Sequence, residues 1–140
     1  MIWKQAPTPE LLNQAHKNTL ISHLGIKIVE VGPDFISATM PVDHRTVQPM
    51  GLLHGGASVV LAESLGSLAA MLTIGDTDSE AVVGAEINAS HLATATSGLV
   101  VGTVKPIKIG RRLQFWNIEI KQGNKMICIS RHTTMKISKS

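Results

Sequence analysis

The sequence predicts an α+β fold in which one antiparallel sheet of five or six strands curls around a single long helix. Three observations indicate this class. The stretch from Gly55 to Ile74 is apolar or small on every helical face and carries one ionisable group, Glu63. Two segments with strand-like alternation precede this stretch, and four more follow it. Because a helix without a polar face must be covered by other elements, the sheet has to wrap around it.

The first predicted element is a short helix near the N-terminus. Thr8 is a suitable N-cap, Pro9 suits the first helical position, and Glu10 favours the positive end of the helix dipole. We expect this helix to end near Lys17.

A β-hairpin should follow this helix. Residues 26–31 and residues 35–42 both alternate between apolar and polar positions, and a Gly-Pro-Asp turn separates them. The loop at residues 43–51 then leads to the long helix and brings Gln48 and His54 to its start.

After the long helix and a break at residues 75–79, four further strands are expected, at residues 81–91, 98–109, 113–121 and 125–137. The connections between them are short, which predicts that each strand lies antiparallel beside the next. One curled sheet covers a helix only in part. We therefore expect an exposed sheet edge or helix flank that a second copy covers, and so at least a dimer.

Length and composition predict one domain spanning residues 1–140 in a reducing cytoplasm. The chain has a single cysteine, Cys128, whose apolar neighbours predict a buried strand position, and no signal peptide is visible. Glu63 at the middle of the apolar stretch argues against a membrane span. A net charge of +3 suits a phosphate-bearing small ligand, whereas four aromatic side chains are too few for nucleic-acid stacking.

Glu63 is the first catalytic candidate. A carboxylate within a buried helix loses hydration and must be paired, neutralised or used in chemistry. The structural alternative is a carboxyl group held by a nearby serine or by a salt bridge. Gln48, His54 and the glycine pair at Gly55 and Gly56 lie just upstream, where a helix start points free N–H groups outward.

Basic residues bracket a predicted strand turn, at Lys105, Lys108, Arg111 and Arg112. This cluster is either a solvated hairpin end or a capture site for phosphate groups, which guanidinium groups bind well. The histidines do not follow any metal-binding spacing, so no catalytic metal is expected.

The central motifs QPMGLLHGGAS (residues 48–58) and LAESLGS (residues 61–67) resemble the signature of hotdog-fold acyl-CoA thioesterases of the phenylacetate-pathway type. Residues 1–4, 40–43, 83–89 and 105–106 resemble a narrower branch of that family. This branch includes the 1,4-dihydroxy-2-naphthoyl-CoA thioesterases of menaquinone synthesis and the proofreading thioesterases of enterobactin synthesis. Relatives in the branch often carry Phe at the position of Met50 and a basic residue at that of Ala93.

The resemblance implies a role for each motif residue. Glu63 would be the nucleophile or general base, and Ser67 would help to place water or substrate. Gln48, His54 and Gly55 would hold the thioester carbonyl. The residues implied to lie near coenzyme A, a part of the substrate, are Val82, Ala89, Ser90, His91, Leu92, Pro106, Lys108, Gly110 and Arg111. No cofactor is expected beyond coenzyme A as part of the substrate. We expect a homo-oligomer, a dimer that pairs with a second dimer into a homotetramer.

Helix geometry adds a constraint on this site. Gly55 and Glu63 are eight positions apart, about 12 Å along a helix axis, so one chain cannot use both on one thioester. Two antiparallel helices of a two-fold dimer would bring them together, which predicts a site shared between subunits. The sequence leaves open whether Glu63 acts as base or nucleophile. Two other functions also remain open, an acyl-thioester hydratase or dehydratase and a non-catalytic acyl-CoA-binding domain.

Overall fold

A computed structural model describes all 140 residues of the chain. The elements in chain order are α1 (Pro9–Ala15), α2 (Leu20–His23), β1 (Lys27–Val31), β2 (Ile36–Pro41), α3 (Gly55–Leu72), β3 (Glu80–His91), β4 (Leu99–Ile109), β5 (Leu113–Gln122) and β6 (Lys125–Ser138). The six strands form one antiparallel sheet, and α3 packs on one of its faces. The predicted α+β class, with one long helix against a wrapped sheet, is confirmed.

The N-terminal helices are short. The hydroxyl of Thr8 accepts a hydrogen bond from the Leu11 N–H at 3.3 Å, as expected for the N-cap of α1, which ends at Ala15 rather than near Lys17. The sequence did not predict α2. Its single turn is too short to show a helical period of apolar residues.

The order of the strands in the sheet is β1-β2-β4-β5-β6-β3. The β1–β2 hairpin is confirmed, but the prediction that β3 lies beside β4 is wrong, because β3 pairs only with β6. Residues 92–98, which connect β3 to β4, cross the end of the sheet. The Leu92 N–H donates to the Ile127 carbonyl of β6, and the Ala95 carbonyl accepts from the Leu53 N–H just before α3. Seven extended residues reach about 23 Å. This length is ample for the three strand spacings, about 14 Å, that they cross.

One flank of α3 is buried against the sheet, through Ala57, Ser58, Leu61, Ala62, Leu65, Gly66, Ala69, Ala70 and Leu72. Gly102 in β4 permits this close approach, since a Cβ atom there would lie 2.9 Å from a methyl group of Leu65. The other flank is not covered by the sheet. Glu63, predicted to be buried, therefore lies exposed in the single chain, because the sheet curls around only one side of the helix.

The two edges of the sheet differ. Asn13 of α1 covers the outer edge of β1, where its side-chain amide donates to the Ile28 carbonyl at 2.9 Å and accepts from the Ile28 N–H at 2.8 Å. The opposite edge is the outer side of β3, a strand of twelve residues with no covering segment. An uncovered edge of this length is a template for strand pairing. The chain thus has one exposed sheet edge and one exposed helix flank.

By length and composition, α3 could cross a bilayer, but half of its residues are buried inside the fold. The helix packs here as the core helix of the sheet.

Candidate active site

A small hairpin precedes α3 and places Gln48 beside the start of that helix. The His54 N–H donates to the Thr46 carbonyl at 2.8 Å, and the Gln48 N–H donates to the Leu52 carbonyl at 2.8 Å. Gly51, at the tip, has a φ of 77°, a conformation that glycine adopts without steric cost. Backbone hydrogen bonds therefore fix the position of Gln48 relative to His54.

His54 is the N-cap of α3, and its Nδ1 atom accepts the Gly56 N–H at 2.7 Å. Because an accepting ring nitrogen carries no proton, the neutral imidazole bears its hydrogen on Nε2, where it can be donated to a ligand. The N–H of Gly55, the first residue of α3, donates to no acceptor in the chain. The positive end of the helix dipole therefore carries two donors directed toward the space in front of α3.

Gln48 provides a third donor. Its side-chain oxygen accepts the N–H of Met50, which fixes the orientation of the amide group. The amide nitrogen of Gln48 has no partner in the chain and remains free to donate. Gln48 and His54 thus belong to the small hairpin that leads into Gly55, the first residue of α3. We call these three residues the donor cluster.

Glu63 and Ser67 lie on the exposed flank of α3, one turn apart, between two cavities. One cavity lies beside the N-terminal segment of the chain, and we call it the helical cavity. It has a volume of about 340 Å³ and is lined by His16, Ile21, Glu63, Ser64, Ser67, Leu68 and Met71. The cavity on the β3 side, the strand cavity, has a volume of about 400 Å³ and is lined by Glu63, Ser67, Gly84, Ala85, Glu86 and Ile87. Glu63 takes part in none of the ion pairs of the chain. Within one chain, therefore, no salt bridge holds this carboxyl group.

The donor cluster and Glu63 are separated within one chain. Eight residues of regular α3 lie between Gly55 and Glu63, which places them about 12 Å apart along the helix axis. The structure thus contains both halves of the predicted site but does not bring them together in a single subunit.

The residues predicted to lie near coenzyme A fall into two groups. His91, at the end of β3, lies against the donor cluster, since a Cβ atom at Gly55 would be 2.8 Å from its Nε2 atom. Ala89, Ser90 and Leu92 are its neighbours in the chain, at the same end of β3. This first group therefore lies at the start of α3.

The second group lies at the other end of the sheet. Val82 pairs with Lys136, whose N–H donates to the Arg112 carbonyl at 2.8 Å, so Val82 is close to the β4–β5 turn with Pro106, Lys108, Gly110 and Arg111. The nine steps along the chain from Val82 to His91 separate the two groups by about 30 Å in an extended strand. Lys108, Arg111 and Arg112 are exposed, and no carboxylate pairs with them.

Three residues near Glu63 were not predicted from the sequence. His16 and Ile21 line the helical cavity, and Glu86 lines the strand cavity, where the Asn88 amide donates to its carboxylate at 3.3 Å. No local pattern in the sequence connects His16 to Glu63, because the fold brings them together from separate elements. Only Glu86 lay within a stretch that resembled the family.

A buried histidine lies behind this flank of α3. His132 of β6 is fully buried, and neither of its ring nitrogens has a hydrogen-bond partner. Its ring fits between Gly66 of α3 and Gly84 of β3. A Cβ atom at Gly66 would lie 2.6 Å from its Nδ1 atom, and one at Gly84 would lie 3.0 Å from its Nε2 atom. Burial lowers the pKa of His132, and the carboxylates of Glu63 and Glu86 partly oppose this shift.

A wrapped helix that carries an unpaired carboxylate and begins with free donors has the groups needed to attack a polarised carbonyl, which is the chemistry of a hydrolase. Comparison with known proteins identifies the family. Residues 50–129 match the Thioesterase superfamily. The chain belongs to this superfamily and is an enzyme, a hotdog-fold thioesterase.

Similar proteins cover nearly the whole chain. The chain is 50% identical over 136 residues to the 1,4-dihydroxy-2-naphthoyl-CoA hydrolase of Escherichia coli K12, an alignment that covers 96% of this chain and 98% of the relative. It is also 50% identical over 136 residues to the proofreading thioesterase EntH of Cronobacter turicensis, with 96% and 97% covered. The resemblance seen in the motifs is therefore confirmed, including the narrower branch.

Solved structures agree with the fold. A thioesterase from Haemophilus influenzae superposes with a TM-score of 0.94 at 50% identity, covering 99% of this chain and 96% of that one. A thioesterase from Pseudomonas aeruginosa, solved as a glutamine-to-alanine variant, superposes with a TM-score of 0.96 at 43% identity, covering 99% and 100%. The predicted hotdog fold is confirmed.

Proposed function

We propose that this thioesterase hydrolyses aromatic or medium-sized acyl-CoA thioesters to the free acid and coenzyme A. The observation that carries the proposal is the exposed carboxylate of Glu63. It lies unpaired between two cavities, on the same helix whose start holds the donor cluster. Names of similar proteins support the substrate class, since one relative is a naphthoyl-CoA hydrolase. We extend this to an aromatic acyl group, a cytoplasmic location and a place in menaquinone synthesis.

The donor cluster would stabilise the oxyanion that forms when the thioester carbonyl is attacked. As the first N–H of α3, that of Gly55 would point along the helix axis, and the Nε2–H of His54 and the amide of Gln48 would flank it. A preorganised donor of this kind typically contributes about 3–4 kcal/mol to transition-state stabilisation. The hydrogen bonds within the small hairpin and the N-cap hold these donors in place before substrate arrives.

Glu63 would supply the attacking group, by one of two routes. As a general base it takes a proton from water, the resulting hydroxide adds to the carbonyl carbon, and the C–S bond breaks to release coenzyme A as its thiolate, which then takes up a proton. As a nucleophile it attacks the carbonyl itself, expels the thiolate and leaves an anhydride that water then opens. Ser67, one turn further on the same face, would orient the water in either case. Neither route requires a metal or a further cofactor.

The complete site would form between two subunits. In a two-fold pair with antiparallel α3 helices, the donor cluster of one subunit lies beside Glu63 of the other. The uncovered edge of β3 is the surface suited to this pairing, because two antiparallel β3 strands would continue the sheet. The same pairing would bring Val82 and Arg111 of one subunit near His91 of the other, and so unite the two groups proposed to bind coenzyme A. We further propose that two such dimers associate into a tetramer.

Replacing the carboxylate of Glu63 tests the proposal. The Glu63→Gln variant should remain folded and oligomeric but release thiol from benzoyl-CoA at least about a hundredfold more slowly than the wild type, the low end of a general-base contribution. Glu30→Gln, an exposed carboxylate on β1, is the matched control and should leave the rate unchanged. Turnover of the Glu63→Gln variant within a few-fold of the wild type would refute the assignment.

A parallel assay tests the two other functions that the sequence left open. Enoyl-CoA hydration is measured in parallel with thiol release, on the same wild-type preparation. Hydration without thiol release would indicate a hydratase, and tight acyl-CoA binding without either reaction would indicate a binding domain.

A further inference from the structure

The imidazole of His132 lies behind the flank of α3 that carries Glu63, and the proposed mechanism does not use it. The ring occupies space that two glycines leave open, Gly66 on α3 and Gly84 on β3. Gly66 lies three positions after Glu63, so the two residues are neighbours on the helix surface. Gly84 lines the strand cavity together with Glu63. His132 is therefore placed between the two elements that form this cavity.

Two carboxylates face the ring of His132. Glu63 faces it from α3, and Glu86 faces it from β3, where the pairing with β6 is irregular just before Glu86. A bulge of this kind changes the direction in which side chains point. Trp116 of β5, which lies opposite His132 in the sheet, does not titrate, and Arg131, the preceding residue of β6, points to the other face of the sheet. The charges that face the ring are thus both negative.

The position of His132 is unfavourable for stability. Both ring nitrogens are buried without a hydrogen-bond partner, and each such group carries a free-energy cost. A leucine would fill a similar volume without that cost. Buried polar groups without partners in a native protein call for an explanation, and buried titratable groups gather at functional sites. The place of this ring, beside the proposed base, indicates a role in the reaction.

The ring of His132 has two charge states. Burial lowers its pKa and the two carboxylates partly oppose this shift, so the ring is neutral at neutral pH. At lower pH a ring nitrogen takes up one proton. The positive charge then favours the ionised form of a neighbouring carboxylate, and a carboxylate held in that form is a weaker acceptor for the proton of water.

We propose that His132 is a positioning residue that controls whether Glu63 can act. A neutral imidazole leaves the carboxylate free to accept a proton from water or to attack the thioester. A protonated imidazole retains the carboxylate as the partner of an ion pair. The enzyme would thus lose activity in mild acid through a group that does not touch the substrate. This inference rests on the proposed catalytic role of Glu63.

The first test follows kcat/KM for benzoyl-CoA as pH falls, with each chain compared with its own value at neutral pH. Neither His132→Leu nor His132→Gln can take up the proton. In both variants the acid limb should therefore lie at least about half a pH unit lower than in the wild type, which retains about threefold more activity on that limb. His23→Leu removes an exposed imidazole of α2 and should leave the limb unchanged. Circular dichroism at each pH shows that the chains remain folded.

A second test does not depend on turnover. Nuclear magnetic resonance of the imidazole protons follows the titration of His132 directly. In Glu63→Gln the pKa of His132 should be lower than in the wild type, because one of the two carboxylates that favour the protonated ring is gone. Glu30→Gln, which removes an exposed carboxylate on β1, should leave this titration unchanged.

The outcomes separate this inference from the proposed function. Coincident acid limbs in the wild type and both His132 variants would overturn the inference, while turnover at neutral pH would leave the proposed function standing. A titration of His132 that is the same in Glu63→Gln and the wild type would also overturn it. If the wild type cleaves no benzoyl-CoA at any pH, the proposed function fails, and the titration alone decides whether His132 and Glu63 are coupled.

Discussion

His132 is a core side chain whose polar atoms make no hydrogen bond. Both of its ring nitrogens are buried without a partner, and the surrounding low dielectric disfavours the charged ring. The two carboxylates that face it, Glu63 from α3 and Glu86 from β3, only partly compensate for this burial. Because its pKa is lowered by folding, the unfolded chain binds a proton more readily than the folded chain below about pH 6.5. His132 therefore makes stability decrease as pH falls.

Replacing His132 by Leu, which has a similar volume, should reduce this loss. At pH 7.5 the variant should be more stable than the wild type by about 1 kcal/mol, since an unpaired buried polar group is removed. The difference should grow as pH falls from 7 toward 5. Urea unfolding across a pH series measures it, with the exposed His23→Leu as control. Parallel stability curves for the variant and the wild type would contradict the prediction.

The sequence identified residues whose local surroundings define their role. His54 could be assigned to a helix start and Cys128 to a buried strand, because their neighbours in the chain create those environments. The burial of Cys128 is confirmed, and it raises the pKa of the thiol. The environments of His16 and His132 could not be predicted, because their contacts come from other elements. Glu63 shows the same limit, since the coverage of its helix depends on how far the sheet curls.

At the scale of elements, one imidazole at the start of α3 has two tasks: it caps the helix, and we propose that it also donates to the substrate. His54 caps the helix through Nδ1, and its Nε2 atom is the proposed oxyanion donor. The periodicity of the chain was enough to predict this helix and all six strands. It did not predict the place of β3, because a seven-residue link can turn back on its neighbour or cross the end of the sheet.

Two substitutions at His54 should separate these tasks. His54→Asn keeps a good N-cap, so stability should be nearly unchanged, whereas kcat should fall by about 10²–10³ through loss of an oxyanion donor. His54→Ala should show the same loss of kcat and in addition a loss of about 1 kcal/mol of stability. Thermal unfolding and thiol release measure the two effects. If His54→Asn retains the wild-type kcat, Nε2 is not an oxyanion donor.

At the scale of the whole molecule, a shared site makes a quantitative prediction for mixed subunits. One variant carries Gln48→Ala with His54→Ala, and the other carries Glu63→Gln. Either variant alone should be inactive, but each mixed dimer should contain one intact site. After subunit exchange at equal amounts, activity should recover to about a quarter of the wild type, because half of the dimers are mixed and half of their sites are complete.

Differently tagged subunits show whether mixed dimers have formed. Mixed dimers without recovered activity would mean that each site lies within one chain. The sequence was enough to propose a shared site, because the helical rise between Gly55 and Glu63 is fixed by geometry. It could not identify the surface of pairing, which depends on which strand lies at the edge of the sheet.

The coverage of β1 by Asn13 limits how far such pairing can extend. A sheet with two open edges can add a further copy at each side and grow into a fibre. Here the amide of Asn13 occupies the N–H and the carbonyl of Ile28 at one edge, so only β3 remains available. The proposed pairing through β3 would use up that edge in both partners and leave Asn13 at each outer end. On the proposed pairing, a single side chain would make edge-to-edge association self-terminating and so would protect a concentrated solution of the enzyme from polymerisation along its sheets.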